Sequence, residues 1–180
     1  MMKIVNYIKT EVHNPASTLT NLAYILLGLL ALSREPVMGS LLIGVGIAST
    51  GFHWTRSDCW HKADIVMIYY IFSVLAAWHW LGYAGIPIGL CVGGAAHWSF
   101  RDYSRYSQKI IGVLGLLTIT PFFLANGWAD TLYVLMWFVL AFAAGQFAIF
   151  LNPEEDSKEY DAFHAWWHIM SAIGIYYLII

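Results

Sequence analysis

Two histidines four residues apart, in the run Tyr160-Asp161-Ala162-Phe163-His164-Ala165-Trp166-Trp167-His168, are the first residues of this chain whose spacing suggests chemistry. On a helix, their imidazoles stand one above the other on one face. Held so, they can share one metal ion; the plainer reading is a hydrogen-bonded polar pair. A third histidine, His53, ends the run Ser49-Thr50-Gly51-Phe52-His53. Three neutral imidazoles leave the fourth tetrahedral position of zinc open to water, the make-up of a catalytic rather than a structural zinc site. Zinc also brings the pKa of such a water close to neutrality. His164 is followed by Ala165, where the familiar helical metalloprotease pattern has a glutamate. A base must therefore come from another segment.

Asp64 is the best candidate. A carboxylate partly withdrawn from water beside a metal can take a proton and return it to a leaving group. Alone, an acid in a first helical turn is more simply a partner of the helix dipole. Ser49 stands one turn before His53 on the same face, where its hydroxyl could donate to a developing oxyanion. Small hydroxyl residues also serve at ordinary contacts between membrane helices. His61 and Cys59 are alternative ligands that three well-placed histidines make unnecessary. His79 and His97 fall near other segment ends and read as packing or interface residues. Trp78, Trp80, Trp98, Trp128 and Trp137 read as belt and core residues; Trp166 and Trp167 either line an acyl-chain pocket or simply pack.

The elements that must position these groups are membrane helices. The chain is 59% hydrophobic and 11% charged, about half the charged fraction of a soluble domain. Its charges crowd into short stretches between apolar runs close to the length that crosses a hydrocarbon core of roughly 30 Å. Apolar segments at 18–33, 37–54, 63–81, 84–98, 108–125, 129–151 and 161–180 each read as a helix, because lipid offers backbone groups no other partner. The expected fold is thus all-α, a single domain over residues 1–180 forming an integral-membrane bundle of seven helices. The fourth segment is short and rich in glycine, with Gly85, Gly89, Gly93 and Gly94, which predicts tilt, a kink or close packing. No long internal repeat supports an inverted-repeat transporter.

Seven crossings gather Lys3, Lys9, Arg56, Lys62, Arg101, Arg105, Lys109 and Lys158 on one side and leave Arg34 opposite. The positive-inside rule then puts the N-terminus in the cytoplasm and the C-terminus outside. Ser49, His53, Asp64, His164 and His168 all fall near that cytoplasmic face, at similar depth. A net charge of −2 and the lack of a basic block speak against nucleic acid as a partner. Met1 to Val12 has no apolar core before Thr18, which speaks against a cleaved signal. Cys59 and Cys91, one in a polar connection and one in an apolar run, do not suggest a bridge.

Taken together, the Ser49 to His53 run, Asp64 eleven residues beyond it and the His164/His168 pair resemble a superfamily that groups alkaline ceramidases, the progestin and adipoQ receptors, the Per1 proteins of lipid remodelling and SID-1-type membrane proteins. The resemblance follows the chain in order and implies zinc on His53, His164 and His168, Ser49 beside the metal, and Asp64 assisting the water. The run Ser17-Thr18-Leu19-Thr20-Asn21 is similar to the polar motif opening the first span of ceramidases, which implies that Asn21 supports the ligands from behind. Where those enzymes carry an acidic, tryptophan-bearing calcium cluster, this chain offers Glu11 and Asn14 beside His13, a poor set for calcium. The compact chain resembles a bacterial, inner-membrane member. The implied activity is hydrolysis of an amide in a lipid that keeps its acyl chain in the bilayer, such as ceramide; an ester would use the same parts. A zinc-stabilised receptor or regulator of the progestin/adipoQ type is the alternative, and a histidine proton relay in a transporter ranks last.

Overall fold

Among the described residues, every regular element in the computed structural model is helical. The structure describes residues 12–99, 103–151 and 157–180, leaving aside the side chains of 99, 103–109 and 151. The elements are α1 (Pro15–Thr20), α2 (Leu22–Leu32), α3 (Pro36–Thr55), α4 (Asp58–Leu81), a 3-10 turn (Gly82–Ala84), α5 (Gly85–Ser99), α6 (Tyr103–Leu151) and α7 (Lys158–Ile179). Their starts follow local chemistry. Pro15 and Pro36 open α1 and α3, where a missing N–H costs nothing. Ser57 and Ser157 cap α4 and α7 by accepting from the amides of Trp60 and Tyr160, satisfying donors a helix start leaves over. The Ser57 cap starts α4 at Asp58, five residues before the expected 63, so Asp64 lies beyond the first turn expected for it.

Four stretches are long and apolar enough to cross a membrane: Pro15–Leu32, Pro36–Thr55, Asp58–Trp98 and Ile110–Phe150. The last two are 41 residues each, about 60 Å if straight, twice a hydrocarbon core. Both are broken by a glycine whose φ lies where other residues strain, Gly82 (φ 62, ψ −151) and Gly127 (φ 80, ψ −172). Beyond Gly82 the chain doubles back: Gly85, Gly89 and Gly93 of α5 meet Ala77, Val74 and Tyr70 of α4 in that order. A side chain at Gly85 or Gly89 would strike α4 backbone, so the glycine-rich segment is closely packed. The expected segments 108–125 and 129–151 form one helix broken at Gly127. Before the break, α6 follows α4, with the Thr118 hydroxyl donating to the Phe72 carbonyl at 3.2 Å and Phe122 edge-on to His79. After it, α6 runs back along α7, pairing Tyr133 with Tyr177, Phe138 with Gly174 and Phe147 with Phe163.

The core lies where α2, α3, α4 and α7 meet, with Tyr24, Met38, Leu42, Tyr69, Leu75, Ala172 and Leu178 buried in it. Lipid gives helices no hydrophobic reason to associate, so fit between small residues carries more of the packing. Gly39 of α3 illustrates this, sitting against the backbone of Leu32 and Gly28 on α2. Of the residues in the charge asymmetry, Lys3, Lys9 and Arg101, with the side chains of Arg105 and Lys109, lie outside the described residues, as does Glu11.

Candidate metal centre

Near its C-terminus α3 presents His53, and α7 presents His164 and His168 two and three turns from its start. The ligand atoms these side chains offer lie within 4.8 Å of one another, and among the described residues this group could hold a metal ion. Ring centroids are 4.8 Å apart for His53 and His164, 4.9 Å for His53 and His168, and 4.7 Å for His164 and His168. All three are buried, with exposures of 1%, 8% and 5%. Nitrogen ligands about 2.0–2.1 Å from zinc are roughly 3.4 Å apart in a tetrahedron, so a small inward movement of each ring closes the site. The donor set fits a borderline metal: imidazoles from two helices, converging, with Nδ1 of His53 buried and lacking a protein partner, a situation native interiors avoid.

The surroundings orient the rings. His168 Nδ1 lies 3.2 Å from the carbonyl oxygen of Ser17 and 3.5 Å from the Thr20 hydroxyl. A carbonyl only accepts, so Nδ1 carries the hydrogen and Nε2 is left for a metal. His164 stacks on Tyr160, at 5.1 Å and 18°, and meets the edge of Trp167 at 4.9 Å. The backbone carbonyl of His53 accepts from the Asn14 amide at 3.0 Å, tying the end of α3 to the segment entering α1. The amides of Ala16 and Ser17, at the start of α1, donate to the Asp161 carboxylate of α7, each at 2.8 Å.

Ser49 is buried one turn before His53, near enough to the Asp64 carboxylate of α4 to act on it. The two residues expected to do acid–base and oxyanion work are therefore neighbours across α3 and α4, and Asp64 Oδ1 is buried without a protein partner. Asn21, expected to support the ligands, is fully buried beside Gly46 of α3, but its amide atoms bond to no described protein group. The hydrogen bond to a histidine comes instead from Ser17, one turn earlier. The sequence reading also passed over Tyr24, whose hydroxyl pairs with Ser171 at 2.5 Å and whose ring is 6.1 Å from His168. A signal existed for Ser17, which stands in the same polar run as Asn21, one turn earlier.

The alternative ligands stand aside. His61 stacks on Phe52 at 4.6 Å, and Cys59 is exposed. His79 packs with Trp78 and Phe122 far along α4. Asn14 turns its backbone to Thr18 and His53. Neither the models of known protein families nor the curated proteins include a match to this chain.

Proposed function

We propose that this protein is an intramembrane, zinc-dependent hydrolase that cleaves the amide bond of an acyl-chain lipid such as ceramide. The observation that carries this reading is three buried, converging imidazoles, with Ser49 one turn from His53 and Asp64 beside that serine on the next helix. The resemblance of the same residues to alkaline ceramidases supports it. Zinc on three imidazoles supplies an activated water and a Lewis acid for a carbonyl. Asp64 takes a proton from the attacking side and delivers it to the amine that leaves. Ser49, beside Asp64, can donate its hydroxyl hydrogen to the developing oxyanion. Tyr24 and Asn21 line the polar interior behind the ligands.

In this reading the chain crosses the inner membrane of a bacterial cell seven times, with its N-terminus cytoplasmic. The reversals at Gly82 and Gly127 support it, since each turns a stretch twice the bilayer's depth back on itself. The site then lies near the cytoplasmic face, and a lipid enters sideways between helices with its tail still in the bilayer.

Metal content and hydrolysis test the proposal together. The purified, unchelated protein should carry about one zinc per chain for a tetrahedral site and release fatty acid from ceramide. Absence of stoichiometric metal would sink the mechanism. A zinc-held receptor or regulator is the second reading, favoured by the burial of all three histidines at 8% exposure or less. Zinc-loaded protein inert toward amide and ester lipids alike would turn the balance to it.

A further inference from the structure

His168 is a ligand whose back is gripped by the protein, and the grip has an origin on its own helix. Its Nδ1–H donates to the Ser17 carbonyl, which belongs to α1, six residues long. Its N-cap residue, Asn14, makes no side-chain capping bond, so the amides at its start need acceptors from elsewhere. Asp161 of α7 provides the cap instead. Its Oδ2 accepts from the Ala16 amide at 2.8 Å, while its Oδ1 accepts from the Ser17 amide at 2.8 Å and the Ser17 hydroxyl at 2.6 Å. The carboxylate is 7% exposed, and a buried carboxylate is tolerated only when donors surround it.

Ser17 is therefore held on one side by Asp161 and on the other presents the oxygen that orients His168. Asp161, His164 and His168 share one face of α7, at positions i, i+3 and i+7. Helix α7 thus carries the ligand and, through a loop closed by α1, the group that fixes that ligand's tautomer and direction.

We propose that Asp161 is a positioning residue of the metal centre, acting through Ser17 to aim Nε2 of His168 at His53 and His164 and so setting metal affinity. This rests on the reading that the three histidines bind metal. Partners behind a ligating histidine are typically worth about 10–100-fold in metal affinity.

The test is zinc affinity of the full chain in detergent, by chelator competition, for wild type, Asp161→Asn, His168→Ala and the double variant. Asn keeps the shape but turns an amide N–H2 toward peptide donors. Asp161→Asn should bind zinc about 10–100-fold more weakly than wild type, and in the His168→Ala background it should cost nothing further. A cycle of this kind isolates action through His168. Equal losses in both backgrounds would mean a general structural role and overturn the proposal, as would unchanged affinity in Asp161→Asn while wild type binds zinc. Wild type that binds no zinc would instead overturn the metal reading beneath it. If Asp161→Asn does not fold, Ser17→Ala removes one bond of the clamp and keeps both amides. An about fivefold loss, again confined to chains with His168, supports the proposal; no loss there overturns it.

Discussion

Beyond Gly127, α6 lies beside α7 and runs in the opposite direction, and the two helices weight their polar contacts differently. On α6 the buried hydroxyl of Thr131 donates to the Gly127 carbonyl of its own helix at 2.7 Å, and that of Thr118 bonds mainly to Leu114 of its own helix at 2.8 Å, reaching Phe72 of α4 only at 3.2 Å. Its outer face turns Leu116, Phe142 and Phe150 outward, at 70%, 67% and 83% exposure. On α7 the buried polar groups reach other helices: Asp161 to α1, His164 to His53, His168 to Ser17 and Ser171 to Tyr24. A polar group closed on its own helix is cheap in lipid and specifies little. One that needs a partner from elsewhere is costly when unmet, and so fixes a single arrangement of helices. That arrangement is the site.

This contrast can be broken at graded cost. Changing His164→Ala with His168→Ala should take bound zinc from about one per chain to background by elemental analysis. Asp64→Asn should lower lipid hydrolysis by about 10²–10⁴-fold, the usual reach of a general acid–base, while bound zinc stays; equal loss of zinc would instead make Asp64 a ligand or a structural group. Gly39→Val would force a side chain into the backbone of α2. It should destabilise by about 1–3 kcal/mol, the range for overpacking, read from thermal unfolding in detergent. Ser171→Ala strips the Tyr24 hydroxyl of its partner and should cost about 1 kcal/mol; Thr131→Ala, removing a bond internal to α6, should cost well under half as much. Similar values for the two would dissolve the distinction between the helices. Smallest is Gly112→Ala on α6, where an added methyl meets nothing, with an expected gain of up to about 1 kcal/mol from helix propensity.

Much of the site could be read in the sequence because it depends on short-range spacing. His164 and His168 share a face by helical geometry alone. Ser49 and Asp64 flank one brief connection, so the two helices it joins bring them together. Asp161 was hidden for the opposite reason, since its partner Ser17 is 144 residues away and no local pattern pairs them. Asn21 stood out by residue type, yet which residue of its run faces His168 depends on the phase of α1, and α7 sets that through its carboxylate. The breaks at Gly82 and Gly127 were legible, because a glycine interrupts each apolar run where the chain turns. The start of α4 was displaced because Cys59 and Trp60 sit among polar residues that reads as a connection, while the Ser57 cap already makes it helix.

The closed loop between α1 and α7 also governs when the site can exist during synthesis. At about 5–20 residues per second, a ribosome needs roughly 7–30 s to make the 144 residues between Ser17 and Asp161. Throughout that interval α1 has been made but lacks the carboxylate that holds it, and His53 is present without His164 or His168. In the proposed reading, metal capture is then a late event of biogenesis, coincident with the docking of α7.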